Sequence, residues 1–188
     1  MIRAGLLLAA GASRRFGSED KLLAPLRGAP LVMHAAEALR GSELDVLIAV
    51  VRSGEVADMI EGFDRVAPEE ANPEQSDSLR TGVLRAQELG ADRVTVVLGD
   101  MPFVTAEMID AVTRQSTDAS PAAATDGTRL LPPVCFPSAF FERLIVLRGD
   151  RGAAALLSDA ALVPQAKGAL QDIDTPEALE KAEKNDAT

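Results

Sequence analysis

A short stretch near the amino terminus combines small residues with cationic side chains, which suits it to binding phosphate. Small residues such as Gly11 and Ala12 let backbone N–H groups approach an anion closely. Arg15 and Lys21 follow in the same stretch and add positive charge that can reach the same anion. The sequence therefore predicts a site for a small phosphate-bearing ligand, formed by this turn and its backbone.

The glycine spacing differs from two familiar phosphate-binding patterns. Gly11 and Gly17 are separated by five residues and Gly17 is followed by Ser18, whereas a P-loop has four residues between its glycines and then Lys with Ser or Thr. The dinucleotide fingerprint G-x-G-x-x-G is absent from the chain. An ordinary polar turn between a strand and a helix, with solvated arginines, is the alternative interpretation of this stretch.

Two aspartates elsewhere in the chain are candidates for a metal site. Asp100 follows an apolar, β-branched run, so its carboxylate is expected at the carboxyl edge of a sheet, where α/β proteins bind ligands. Asp174 follows a second short segment, predicted as a strand over residues 170–173. Because Mg²⁺ takes one or two protein carboxylates together with phosphate oxygens and water, these two residues predict a Mg²⁺ site. The alternatives are a turn aspartate at Asp100 and a helix cap at Asp174.

Polar residues at the start of a predicted helix are candidates for contacting a nucleotide. Gln75, Ser76 and Ser78 carry amide and hydroxyl groups that can bind a base edge and a ribose. The alternative is that this segment only caps the helix, beginning at Ser76 or Asp77. Cytosine and guanine both present donors and acceptors, so these residues leave the choice of base open.

Composition limits the classes of function. The 188 residues are 47% hydrophobic, which favours one domain over residues 1–188, and the net charge of −10 disfavours nucleic acid and anionic membranes as partners. Cys135 and His34 are the only residues of their types, so an internal disulfide and a cysteine-based metal site are excluded. No run of about 18 apolar residues and no signal peptide is evident, so a cytoplasmic location is expected.

The elements that must position these residues alternate between strands and helices. The apolar run at residues 6–10 lacks polar alternation, which is typical of a strand covered on both faces. Further strands are predicted at 44–51 and 93–98, and a hairpin is predicted around the Asp126-Gly127 turn. This alternation predicts an α/β fold, a three-layer α/β/α sandwich with a mostly parallel, Rossmann-like sheet.

Four separated segments together resemble the MobA-like family of nucleotidyltransferases. They are LAAGASRRFGSEDK at residues 8–21, QSDSLRTG at 75–82, GDMPFV at 99–104 and DIDTPEAL at 172–179, in the family's order. The resemblance implies Mg²⁺-dependent nucleotidyl transfer, with Lys21, Arg15 and Asp100 in catalysis and Asp100 and Asp174 as metal ligands. The residues expected to contact the nucleotide are Ala9, Ala10, Gly11, Ala12, Arg15, Lys21, Gln75, Ser76, Ser78 and Gly82.

The segment at residues 132–157 further resembles the molybdenum cofactor cytidylyltransferase branch of that family. This resemblance implies CTP as the nucleotide, molybdopterin as the acceptor and docking to a molybdoenzyme. Leu131 and Pro132 stand where the branch commonly has a glycine and a histidine, and Ala154 stands where it often has an arginine. The acceptor pocket is therefore expected to differ from that of the branch.

Three alternatives remain open at the level of sequence. Transfer of GMP to the same cofactor and nucleotide transfer to a sugar or polyol phosphate both use the same chemistry. A carrier that binds the cofactor without catalysis belongs to another class. It would have no need of Lys21, Asp100 and Asp174 together.

Overall fold

The described part of the chain contains both strands and helices. The computed structural model describes residues 1–11, 16, 20–70, 73–149 and 152–184. Within these residues the strands are β1 (Arg3–Ala9), β2 (Pro25–Leu26), β3 (Ala29–Pro30), β4 (Val46–Val51), β5 (Asp64–Val66), β6 (Arg93–Leu98), β7 (Ala122–Thr125), β8 (Leu130–Pro137) and β9 (Ala161–Pro164).

Helices connect most of these strands. The α-helices are α1 (Leu31–Arg40), α2 (Gly54–Met59), α3 (Gln75–Glu88), α4 (Ala106–Gln115), α5 (Phe141–Ile145) and α6 (Pro176–Lys184). Shorter 3₁₀ helices span Lys21–Leu23, Ser138–Phe140 and Gly152–Leu156. Across the described ranges, no helix is both long enough and apolar enough to cross a membrane.

One seven-stranded sheet organises the molecule, in the order β5-β4-β1-β6-β8-β7-β9. Strands β5, β4, β1 and β6 are parallel, and β8 is antiparallel to both of its neighbours. The order reverses at β1, because β4 and β5 lie on one side of it and β6 on the other. Ligands of open α/β sheets bind at such a reversal, in the crevice at the carboxyl ends of the strands.

Helices cover both faces of the sheet, which confirms the predicted three-layer sandwich with a mostly parallel sheet. Leu7 of β1 packs on one face in a buried cluster that includes residues of α1 and α4. Leu6 packs on the other face in a second cluster that includes residues of α3 and α5. Both side chains are fully buried, so the unbroken apolar run of this strand reflects burial on two sides.

The predicted strand at residues 170–173 is wrong. This segment has no strand in the structure, and Ile173 N donates a hydrogen bond to the backbone oxygen of Asp100 over 2.9 Å. The fully buried Ile173 side chain packs in a third cluster with Leu26, Leu31 and Ala182. This segment therefore forms no strand and instead buries the Ile173 side chain beneath α6.

A small hairpin between Lys21 and α1 was not predicted. Strands β2 and β3 pair around Arg27 and Gly28, whose φ angles are 51° and 80°. Two consecutive residues with positive φ are typical of a tight hairpin turn. The hairpin is linked to α1 by His34, whose Nε2 lies 2.9 Å from the backbone oxygen of Leu26.

Candidate active site

Lys21 is the first residue of a 3₁₀ helix that follows the amino-terminal loop. The helix is capped by Asp20, whose Oδ1 accepts a hydrogen bond from Leu22 N over 3.1 Å. Leu22 is buried in the core cluster on the α1 face of the sheet. A cap and a buried anchor therefore hold the backbone of Lys21 near the carboxyl end of β1.

Asp100 lies in the turn directly after β6. Gly99 N donates to the backbone oxygen of Leu8 over 3.0 Å, which ties this turn to the end of β1. Met101 is buried with 1% of its surface exposed, so it anchors the other side of the turn. The carboxylate of Asp100 is thereby placed at the reversal point of the sheet.

Asp174 reaches the same place from the last part of the chain. Its neighbour Ile173 is bonded to Asp100 through the backbone and buried beneath α6. At the start of α6, Thr175 Oγ1 accepts a hydrogen bond from Ala178 N over 3.2 Å. The Thr175 hydroxyl therefore accepts the hydrogen bond near the start of α6, and the Asp174 carboxylate accepts one from Lys21.

The structure brings Lys21, Asp100 and Asp174 into direct contact. Lys21 Nζ lies 2.6 Å from Asp100 Oδ2 and 2.7 Å from Asp174 Oδ1. The exposed fractions of the three side chains are 12%, 19% and 42% respectively. One partly buried ammonium thus bridges two carboxylates that come from distant parts of the chain, at the edge where ligands of this fold class bind.

Among the residues that the structure describes, the local charge balance is negative. Burial raises the pKa of the Asp100 carboxyl, and the negative charges of Asp174 and Asp172 add to this effect against the opposing pull of Lys21. Burial acts to lower the pKa of Lys21, but the attraction of Asp100 and Asp174 outweighs it and raises that pKa. Both shifts favour protonated groups, so the site attracts further positive charge.

The oxygens of this site fit a Mg²⁺ ion. Asp100 Oδ1 is buried and has no hydrogen-bond partner among the residues described, a state that is unfavourable unless a ligand or ion completes it. No group of three or more His, Cys, Asp or Glu residues suited to a metal occurs in the described ranges. The carboxylates of Asp100 and Asp174 would be the protein ligands, and Mg²⁺ characteristically takes its other ligands from phosphate oxygens and water.

The predicted phosphate-binding loop is described only in part. Ala9 ends β1, Ala10 is buried, and Gly11 is exposed. Phe16 packs against the cluster that holds Ile173, which places it next to the Asp174 segment. The predicted contacts of Ala12 and Arg15 lie outside the described residues and stay predictions.

Helix α3 begins with Gln75, and its cap lies two residues before Ser76, the earlier of the two predicted caps. Glu74 is its N-cap and forms a reciprocal capping box with Asp77, whose Oδ2 accepts from Glu74 N over 2.9 Å. The prediction that Ser76 or Asp77 caps the helix is therefore wrong, because both lie inside it. Ser76 and Ser78 are buried, and Ser76 Oγ has no hydrogen-bond partner within the described ranges.

Close packing of α3 against β1 explains why residue 82 is a glycine. A Cβ at this position would lie 2.3 Å from Leu6 Cδ1 of β1, so only glycine lets α3 approach the strand this closely. Its predicted contact with a nucleotide stays a prediction, as do those of Gln75, Ser76 and Ser78.

A cavity beside Asp100 contains residues that were not predicted as site residues. It has a volume of about 310 Å³, and Asp172 is one of its lining residues. Leu131, Pro132 and Ala154, which depart from the family pattern, also line it. Those departures were the only sequence signal for this cavity.

Comparisons with known proteins are consistent with this geometry. A sequence model described as the MobA-like NTP transferase domain matches residues 5–166, a range that contains Lys21 and Asp100 and ends before Asp174. The purine catabolism protein PucB of Bacillus subtilis is 32% identical over 190 residues, covering 92% of each chain. A molybdenum cofactor guanylyltransferase of Shewanella piezotolerans is 28% identical over 131 residues, covering 69% of this chain and 63% of the relative.

Among solved structures, Rv0371c from Mycobacterium tuberculosis H37Rv superposes with a TM-score of 0.84 at 23% sequence identity. The match covers 98% of this chain and 99% of that chain. At this identity the likeness establishes the fold.

Proposed function

Because the chain belongs to the family of MobA-like NTP transferase domains, and is therefore a nucleotidyltransferase, we propose that it transfers CMP from CTP to molybdopterin. In this reaction an oxygen of the acceptor phosphate forms a bond to the α-phosphorus of CTP. The bond between the α-phosphorus and the oxygen bridging to the β-phosphate breaks, and pyrophosphate leaves. The contact of Lys21 with both Asp100 and Asp174 is the observation that carries the proposal.

Lys21 supplies positive charge to the phosphate chain. Its ammonium is largely buried and is held by two carboxylates, so little reorganisation is needed before it can donate to phosphate oxygens. Backbone amides near Ala10 and Gly11, with Arg15 and Ala12, complete the proposed phosphate contacts. Gln75, Ser76 and Ser78 are proposed to contact the base and the ribose.

Asp100 and Asp174 are proposed to hold Mg²⁺. The unpartnered Asp100 Oδ1 supports this role, because a bound cation would complete the interactions of this buried oxygen. When bound, the ion would neutralise charge on the phosphates of the nucleotide.

Resemblance in the segment at residues 132–157 supports CTP and molybdopterin. The relative named molybdenum cofactor guanylyltransferase supports a second candidate, in which GTP is the nucleotide and the acceptor is the same. A cytoplasmic location and docking to a molybdoenzyme stay predictions.

Pyrophosphate release tests the proposal. Purified protein is incubated with Mg²⁺, molybdopterin and either CTP or GTP, and pyrophosphate is measured over time. We expect release with CTP, and release with GTP alone would replace CTP by GTP in the proposal. Binding of the cofactor without pyrophosphate release from either nucleotide would instead identify a carrier.

The variant Asp100→Asn tests the metal assignment in the same assay. Replacing a carboxylate oxygen by an amide keeps the shape of the side chain but removes its charge, and we expect turnover to fall on the order of 10²-fold or more. Asp58→Asn is the matched control, because Asp58 is exposed on α2. Unchanged turnover and Mg²⁺ dependence in Asp100→Asn would exclude Asp100 as a metal ligand.

A further inference from the structure

A small cluster of apolar side chains lies beside the candidate site, separate from the two large clusters that cover the faces of the sheet. Four of its members are almost completely buried, and two aromatic side chains pack against them. We call this group the α6 cluster, and these six residues are Leu26, Leu31, Ile173 and Ala182 with Phe16 and Phe103.

Each of the three segments that form the candidate site contributes one side chain to the α6 cluster. Phe16 belongs to the amino-terminal loop, and Phe103 belongs to the segment between β6 and α4. Ile173 directly precedes Asp174, and its N donates a hydrogen bond to the backbone oxygen of Asp100 over 2.9 Å. The cluster therefore joins the loop, the Asp100 turn and the Asp174 segment in one packing unit.

Asp174 has no strand ladder to fix its backbone. Residues 165–175, all of which the structure describes, form neither a strand nor a helix. The Asp174 side chain is 42% exposed, whereas Ile173 beside it is fully buried. The position of the carboxylate therefore depends on the packing of Ile173 and on the bond from its backbone to Asp100.

Arg27 ties the far end of α6 to the same cluster. Its backbone N donates to Glu183 Oε1 over 2.5 Å, near the end of the helix. Its guanidinium carbon lies 5.2 Å from the centre of the Phe103 ring, a favourable cation–π arrangement. The β2–β3 hairpin thus holds α6 at one end, while Ile173 packs beneath it near the other.

We propose that Ile173 is a positioning residue, which acts through Asp174 and sets the affinity of the site for its divalent cation. The inference rests on the proposed function, because it concerns the two carboxylates assigned to the metal. The α6 cluster keeps Asp174 at a fixed place relative to Asp100, and through Phe16 it also keeps the amino-terminal loop in register with both.

Binding of Mn²⁺ alone, followed by electron paramagnetic resonance, tests this role, because Mn²⁺ takes the same oxygen ligands as Mg²⁺. Ile173→Ala should weaken Mn²⁺ binding by about tenfold, since residues that orient metal ligands affect affinity on this scale. Ile48→Ala is the matched control, because Ile48 is equally buried in β4 but packs in the cluster that includes α3. Wild-type affinity in Ile173→Ala, or equal losses in both variants, would overturn the proposal.

A milder pair of variants keeps the test valid if Ile173→Ala does not fold. Leu179 is partly buried on α6 and packs against the α6 cluster, whereas Leu89 is partly buried before β6 and packs against the cluster that includes α3. Leu179→Ala should weaken Mn²⁺ binding by about threefold and Leu89→Ala should leave it unchanged, although urea denaturation should show similar losses of stability. Equal Mn²⁺ affinities in this pair would contradict the assignment.

The conservative change Ile173→Val provides a rescue, because it keeps most of the buried side chain. Its Mn²⁺ affinity should stay within about twofold of the wild-type value. A loss as large as that in Ile173→Ala would show that packing of this side chain does not position Asp174.

The link to the loop is tested without metal. Equilibrium dialysis in EDTA measures the affinity for the α,β-methylene analogue of CTP, and Ile173→Ala should lower it by about threefold because the loop loses packing at Phe16. Unchanged affinity would contradict the link between the cluster and the loop. Failure of the wild-type protein to bind either Mn²⁺ or the analogue would instead contradict the proposed function, on which the inference rests.

Discussion

At the scale of single residues, the candidate site depends on the contact of one lysine with two aspartates. Lys21, Asp100 and Asp174 were selected from the sequence because each stands in a recognisable motif, and Lys21 Nζ lies within 2.7 Å of a carboxylate oxygen of each aspartate. Asp172 was not selected, although it stands in the same segment as Asp174, because the resemblance implied metal ligands only at Asp100 and Asp174. Its place at the rim of a cavity depends on strands and helices that are distant in sequence.

The variant Lys21→Met distinguishes the contribution of positive charge at the phosphates from the binding of the metal ion. Removing the ammonium should lower kcat/KM on the order of 10²-fold or more, because the phosphate chain loses a positioned cation. Affinity for Mg²⁺ should not fall, since the two carboxylates keep their charge and lose a competing cation. Turnover and calorimetric Mg²⁺ titration check the two expectations.

The matched control for this variant is Lys167→Met, because Lys167 is exposed in the loop after β9. It should leave both turnover and Mg²⁺ affinity at their wild-type values. A loss of Mg²⁺ affinity in Lys21→Met with unchanged kcat/KM would contradict the roles assigned to the three residues.

At the scale of elements, periodicity predicted the strands and helices with long patterns, and short irregular segments were missed. β6 was predicted with its observed bounds, because five β-branched or apolar residues lie between Arg93 and Gly99. The two-residue strands of the β2–β3 hairpin are too short for any period to be visible. Residues 170–173 were predicted as a strand, but they pair with no other strand. Ile173 is instead buried in a cluster of side chains.

The contact between α3 and β1 gives a prediction at this scale. Gly82→Ala should reduce the free energy of unfolding by about 1–3 kcal/mol, because the new methyl group would overlap Leu6 and force the helix away from the strand. Urea denaturation followed by circular dichroism measures this change.

Gly54→Ala is the control for that prediction, because a Cβ at Gly54 meets no atom within 4 Å. It should be neutral or stabilising by up to about 1 kcal/mol, since Gly54 is the first residue of α2 and alanine favours helix. Equal destabilisation by the two substitutions would show that close packing is not the reason for glycine at position 82.

At the scale of the whole molecule, the sequence predicted the layers but not the arrangement of the last strands. Alternating strands and helices imply a parallel sheet, and β5, β4, β1 and β6 follow this rule. The pairing of β7 with β8 confirms the predicted hairpin, but the antiparallel pairing of β8 with β6 is a long-range contact that local patterns do not encode. The walls of the cavity depend on this arrangement, so the cavity was beyond sequence-based prediction.

The two large core clusters share one sheet, which predicts a single cooperative unfolding transition. Cys135 reports on it, because burial raises the pKa of its thiol and the side chain is inaccessible. The thiol should react with Ellman's reagent at pH 8 only as urea unfolds the chain, with the same midpoint as the loss of circular dichroism at 222 nm. Stoichiometric reaction without urea, or two separate midpoints, would contradict this expectation.

The central claim is that Asp100 and Asp174 bind a divalent cation, and that this cation and Lys21 contact the same phosphate chain. Anomalous diffraction from crystals soaked with Mn²⁺ and the α,β-methylene analogue of CTP tests it most directly. The account predicts an anomalous peak at coordination distance from the carboxylates of Asp100 and Asp174, with the analogue's phosphates in contact with Lys21. A peak away from both aspartates, or phosphates bound elsewhere on the molecule, would contradict the account.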